Sequence, residues 1–165
     1  MAVLVPDKRF ARVTDIHPQT HLLDAGITCV LLDVDNTIRS REGRVVPDDV
    51  RGWLEDVRRA GVTACILSNS FHEDTESLAH ELGVACVMRA MKPFPFAYVR
   101  AMELVGADKA HTACIGDQIS TDILGAHAAG IQAFLVDPLA DVDLAHMRVI
   151  RKIERRIARN VAYER

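Results

Sequence analysis

Short apolar runs of strand length alternate along this chain with longer segments of helical period. A strand buried on both faces reads as a continuous apolar run, and a crossover between parallel strands needs a helix. The alternation therefore predicts an α/β fold, a doubly wound, Rossmann-like parallel sheet with helices on both faces. About five strands are expected, over residues 28–32, 62–67, 84–88, 111–115 and 131–136. Between them, Val50, Trp53, Leu54 and Val57 recur at i, i+3, i+4 and i+7, predicting a helix over 48–60 that starts at Pro47-Asp48 and stops at Gly61. Further helices are predicted over 72–82, 94–105, 121–129 and, at the end of the chain, 142–158.

No repeat, low-complexity stretch or linker interrupts this pattern, so residues 1–165 are expected to form a single domain. A net charge of -3 gives the chain as a whole no reason to seek nucleic acid or an anionic membrane. Neither a secretory leader nor a transmembrane run is predicted, which points to the cytoplasm. Cys29, Cys65, Cys86 and Cys114 show no C-x-x-C spacing and each falls within a predicted strand, so reduced core thiols are expected.

Ligands of such sheets bind beyond the carboxyl ends of the strands. The polar residues of this chain gather there: Asp33 and Asp35 after the first predicted strand, Ser68 and Asn69 after the second, Asp117 and Asp122 after the fourth, with Lys92 beyond the third. Asp33, Asp35 and Asp117 are expected within a few ångströms of one another, an arrangement that calls for a cation. An all-oxygen set with few protein ligands suits Mg²⁺. The Ser68 hydroxyl, the Lys92 ammonium and backbone N–H groups suit a phosphoryl group. Together these are the parts needed for phosphoryl transfer through an aspartyl phosphate.

Asp33-Val34-Asp35-Asn36-Thr37 resembles the D-x-D-x-T signature of haloacid-dehalogenase (HAD) superfamily phosphatases. Ser68 in ILSNS, Lys92 in MKPFPFAY and Asp117 to Asp122 in GDQISTD resemble that family's second, third and fourth motifs, in the family's order. The resemblance implies that Asp33 is the nucleophile and Asp35 the acid and base. It implies that Thr37 steadies the loop and that Ser68 and Lys92 hold the phosphoryl group. Asp117 would ligate Mg²⁺ with Asp33 and the backbone carbonyl of Asp35, and Asp122 would support the metal ligands or ligate in their place. Asn69 is a loop former or a phosphate contact.

Within the superfamily, Asp-Asn-Thr, the Lys92-Pro93 pair followed by Pro95-Phe96, and GDQ-x-x-TD-x-x-GA resemble the YqeG-type group of subclass IIIA. Ser68-Asn69-Ser70 departs from that group's Ser-Asn-Asn and leaves Ser68 in place. Some relatives in this group are phosphatidylglycerophosphate phosphatases, so that lipid is a candidate substrate.

Neither interval between motifs has room for the cap domain that many relatives insert, which predicts an open site suited to a bulky or surface-bound substrate. Ile150, Ile153 and Ile157 form an apolar stripe beside Arg148, Arg151, Lys152, Arg155, Arg156 and Arg159. That basic amphipathic helix is expected to pack on its own domain, or to touch RNA or the inner face of a membrane.

Two rival readings stand beside the phosphatase: a non-catalytic binding module that keeps the fold, and a phospho-acceptor signalling domain. The second lacks a reason for Asp35, two positions after the nucleophile. An EF-hand reading of Asp33 to Arg44 fails, because Ile38 stands where the loop needs Gly and Arg44 where it needs Glu. The roles of Arg39, Arg41, Arg44 and His72 are open.

Overall fold

In a computed structural model of the chain, residues 3–40, 45–71, 74–139, 156–158 and 161–164 are described. Six parallel strands form one sheet: β1 Lys8–Phe10, β2 Cys29–Leu32, β3 Thr63–Leu67, β4 Ala85–Val87, β5 Thr112–Gly116 and β6 Gln132–Val136. Their spatial order is β1-β6-β5-β2-β3-β4. From the central β2 the chain winds outward through β3 and β4, then crosses back to β5 and β6. This reversal places a crevice at the carboxyl end of β2.

The five expected strands are present, and β1 is additional. Its Lys8 and Arg9 gave it no apolar signature. It exists because pairing with β6 satisfies its backbone, with Lys8 opposite Phe134 and Phe10 opposite Val136, while Phe10 is buried.

The period of two along the strands splits the core between two faces. Val30 and Leu32 of β2, Ile66 of β3, Ile115 of β5 and Phe134 of β6 pack on one side. Helix α1 (Asp48–Arg59) covers that side through Val50, Trp53, Leu54 and Val57, and α2 (Asp74–Leu82) adds Leu78 and Ala79. Leu31, Cys65, Leu67, Cys114 and Leu135 point to the opposite side. There α3 (Pro95–Val105) contributes Ala97, Tyr98, Ala101 and Met102, and α4 (Leu124–Ala129) contributes Ala126 and Ala129. Trp53 anchors α1 by donating its indole N–H to the carbonyl of Ile16 at 2.7 Å, so its one polar atom is satisfied in the core.

The helix expected over 121–129 begins as a wide π-type turn over Ile119–Ile123 and becomes α-helical only from Leu124. Tyr98 accounts for it. Its hydroxyl donates to the carbonyl of Thr121 at 2.8 Å, and its ring lies where a Cβ on Gly125 would stand.

Cys29, Cys65 and Cys114 are buried free thiols, and Cys86 is half-buried. Among the described residues, only α1 and β3 lie between Thr37 and Ser68, and only α2 and β4 lie between Ser68 and Lys92. No helix among the described residues is long and apolar enough to cross a membrane. Most of the expected terminal helix, residues 142–155, lies outside the described residues, as do Arg41, Arg44 and His72. Residues 156–158 are helical, with Ala158 buried and Ile157 packed against the α3–α4 side of the core.

Candidate active site

Asp33 is the first residue beyond β2 and extends that strand's pairing, its N–H donating to the carbonyl of Ile115 at 3.0 Å. The next turn is tight. The N–H groups of Thr37, Ile38 and Arg39 converge on the carbonyl of Val34, and Asn36 takes a positive φ of 66°. Asparagine tolerates that left-handed backbone better than most side chains. The turn brings the Thr37 hydroxyl back to donate to Asp33 Oδ2 at 3.3 Å.

Lys92 reaches the same carboxylate from the other side. Its Nζ lies 2.6 Å from Asp33 Oδ1 and 2.7 Å from Asp122 Oδ1, in a buried setting. The loop that delivers it is held by Asn69, whose side-chain amide accepts from the Lys92 N–H at 2.7 Å and donates to the Lys92 carbonyl at 3.1 Å. Asn69 is thus a brace for Lys92. Ser68 is buried at the end of β3, where its Oγ accepts the N–H of Ser70 at 3.1 Å. Among the described residues this hydroxyl is met only as an acceptor.

The fourth expected motif closes the site. Asp117 follows β5 directly and is buried. Asp122 returns on the π-type turn, its Oδ2 accepting the N–H of Gln118 at 3.1 Å. A Cβ on Gly116 would lie 2.3 Å from Asp122 Cγ, so glycine is what lets this carboxylate approach the strand end.

Carboxylate oxygens of Asp33, Asp117 and Asp122 lie within 4.8 Å of one another. This corrects one expectation: the third carboxylate of the cluster is Asp122 in place of Asp35. The Asp35 side chain turns to Arg39, whose Nε and Nη2 each lie 3.3 Å from its Oδ1. Arg39 is itself buried and also donates to Asp74 Oδ2 at 3.3 Å, tying the first loop to the start of α2. Asp35 nonetheless lies on the same loop, two residues from Asp33 and half-buried at the mouth.

Burial disfavours the Lys92 ammonium, but Asp122 and Asp33 outweigh it and hold the group well above the usual lysine range. Burial pushes Asp122 up to about 6; the Lys92 ammonium opposes that rise and the Asp33 carboxylate adds to it. With all groups ionised, three carboxylates face one ammonium. The excess of negative charge and the all-oxygen donor set fit a hard divalent cation such as Mg²⁺.

Sequence spacing located Asp33, Ser68, Lys92, Asp117 and Asp122 at one sheet edge. It missed the supporting residues Asp74, Tyr98, Gly116 and Gly125, and it left the role of Arg39 open. The two glycines had a signal in GDQ-x-x-TD-x-x-GA; Tyr98 looked like any core residue of a helix.

The sequence matches the haloacid dehalogenase-like hydrolase family over residues 7–130. It is 29% identical over 153 residues to "Probable phosphatase YqeG" of Bacillus subtilis, covering 93% of this chain and 88% of that protein. Among solved structures, a cobalt-bound deoxy-D-mannose-octulosonate 8-phosphate phosphatase from Haemophilus influenzae superposes with a TM-score of 0.56 at 18% identity, over 81% of this chain and 88% of that one. A HAD subfamily III A hydrolase from Legionella pneumophila gives 0.52 at 18% identity, over 71% and 70%. These structures share the fold.

Proposed function

The chain belongs to the haloacid dehalogenase-like hydrolase family, and from that premise we propose that it is a Mg²⁺-dependent phosphomonoester hydrolase working through an acyl phosphate on Asp33, an aspartyl phosphate. One observation carries the proposal. At the carboxyl end of the central strand, Asp33 is gripped between the Lys92 ammonium and the Thr37 hydroxyl, beside Asp117 and Asp122. A structural salt bridge needs no such convergence from three separate loops. The similarity to a probable phosphatase over nearly the whole chain supports the same reading.

In this scheme an Asp33 oxygen attacks phosphorus while the bond from phosphorus to the leaving oxygen breaks, and Asp35 gives its proton to the departing alcohol. Water then attacks phosphorus, Asp35 takes up a proton from that water, and Asp33 is released as a carboxylate. Lys92 and the Ser68 hydroxyl hold the oxygens of the transferring group, and Thr37 and Asn69 keep Asp33 and Lys92 in place. Asp33, Asp117 and the Asp35 carbonyl would hold Mg²⁺, with Asp122 fixing Lys92 beside them. The ion would neutralise charge on the phosphoryl oxygens as it is shared between nucleophile and leaving group. Arg39 sets the direction of the Asp35 carboxylate.

The absence of any inserted unit between motifs among the described residues supports a single domain with an open site. That site suits a bulky or surface-bound phosphomonoester, of which phosphatidylglycerophosphate is one candidate, met from the cytoplasm. The basic terminal segment is a further candidate contact with lipid or RNA, although Ile157 and Ala158 already face the domain core.

The test is phosphate release from p-nitrophenyl phosphate and from phosphatidylglycerophosphate vesicles, with Mg²⁺ or EDTA, for wild type and Asp33→Asn. Mg²⁺-dependent release that the variant lacks is expected. Full turnover by Asp33→Asn would overturn the proposal.

A further inference from the structure

Three of the chain's five phenylalanines are exposed, and all three flank the loops that build the site. Phe71 follows Ser68-Asn69-Ser70 and is 71% exposed; Phe94 and Phe96 follow Lys92 at 55% and 53%; Met91, just before Lys92, is 56% exposed. Isolated exposed apolar residues are ordinary, whereas four large ones gathered at one edge of a site mark an interaction surface.

The local backbone is arranged to hold them out. Arg89 and Met91 both take positive φ, 49° and 60°, a conformation that costs a non-glycine residue energy. The result is an alternation in which Ala90 and Lys92 point inward while Arg89 and Met91 point outward. Phe94 and Phe96 stack on each other with ring centroids 5.9 Å apart. The Arg89 guanidinium lies 5.5 Å from the Phe71 ring, and the Arg89 N–H donates to the Ser70 carbonyl at 3.3 Å, so the two loops form one surface.

Charge indicates what this surface meets. Over residues 89–102 the exposed charges are Arg89 and Arg100, with no Asp or Glu, in a chain whose net charge is -3; Lys92 is buried and paired with Asp33 and Asp122. Arg100 is exposed one helical turn after Phe96, on the same side of α3. Protruding aromatic and Met side chains rimmed by arginines complement an anionic lipid surface: the rings enter the boundary between head groups and chains, and the cations meet lipid phosphates.

We propose that Phe71, Met91, Phe94 and Phe96, with Arg89 and Arg100, dock this protein on an anionic bilayer, so that the mouth leading to Asp33 faces the membrane. The inference rests on the phosphatase reading for its purpose and adds to it the surface that delivers a membrane-borne phosphomonoester. Docking itself needs no turnover, so the two readings fail separately.

Vesicle flotation tests it directly, using the full chain with phosphatidylcholine vesicles and with phosphatidylcholine vesicles containing phosphatidylglycerol. Wild type is expected to float with the anionic vesicles, weakly or not at all with the zwitterionic ones, and less as salt rises. The triple variant Phe71→Ser, Phe94→Ser, Phe96→Ser is expected to lose at least about tenfold in partitioning. Arg89→Gln with Arg100→Gln is expected to abolish the preference for anionic lipid. These substitutions are at exposed positions, and circular dichroism with a thermal melt verifies that each variant is folded. Wild type that stays with neither vesicle would overturn the proposal. So would a folded triple variant that floats as well as wild type, since binding would then use another surface.

Discussion

Replacing Lys92 by methionine removes the one ammonium that Asp33 and Asp122 share, at 2.6 and 2.7 Å, and leaves the apolar stem in place. Asp122 is then a buried carboxylate whose remaining described partner is the Gln118 N–H. Removing one partner of a buried pair costs about 3–5 kcal/mol, a large share of a total stability of about 5–15 kcal/mol. The loss should depend on pH, because Asp122 already sits up at about 6 and Lys92 is what holds it from rising further. A folded-state value above the unfolded one means that stability falls as pH rises between the two values. In the wild type that fall ends near the Asp122 value; in the variant it continues upward, at ~1.4 kcal/mol per pH unit. Urea unfolding of both proteins in EDTA should therefore show a loss of about 4 kcal/mol at pH 8 and about 1–2 kcal/mol at pH 5. Adding Asp122→Asn to the variant should recover much of the pH 8 loss. A loss equal at both pH values, or a double variant no more stable than the single one, would refute the electrostatic account of this cluster.

Gly116→Ala puts a methyl 2.3 Å from Asp122 Cγ, and Lys92 prevents that carboxylate from retreating; a thermal melt should show a loss of about 1–3 kcal/mol, and an unchanged midpoint would contradict the packing. Asn69→Ala removes both hydrogen bonds that frame the Lys92 backbone, each worth about 1 kcal/mol. It should lower the turnover of p-nitrophenyl phosphate about tenfold or more, and the brace would be disproved by a variant with full turnover. Burial pushes the Cys29 thiol up to about 11 and Cys65 up to about 12, so with Ellman's reagent at pH 8 only the half-buried Cys86 should react before unfolding. Because unfolded thiols ionise near pH 9 and these do not, stability should also fall as pH rises above about 9, by urea titration.

The legible part of the fold was the part written in apolar runs. β2 and β5 are buried along their whole length, and β3 and β6 over their last three and four residues, so each reads as an apolar run. β1 was illegible because Lys8 and Arg9 are polar, and its conformation comes from pairing with Phe134 and Leu135, over a hundred residues away. In the site, motif spacing placed Asp33, Ser68, Lys92, Asp117 and Asp122 together but could not assign partners among them. Which carboxylate Lys92 meets depends on the Gly116 approach and on Tyr98 capturing the Thr121 carbonyl, contacts made across the fold. The turn of Asp35 toward Arg39 was hidden for the same reason, since a buried arginine four residues on looks like any surface charge in sequence.

The central claim is that Asp33 carries the phosphate, and rapid acid quench during turnover of p-nitrophenyl phosphate with Mg²⁺ tests it most directly. Mass spectrometry of the quenched protein should find a hydroxylamine-labile phosphate on the peptide containing Asp33, absent with EDTA and absent from Asp33→Asn. Steady turnover with no phosphate on that peptide, or with Asp33→Asn as active as wild type, would contradict the account.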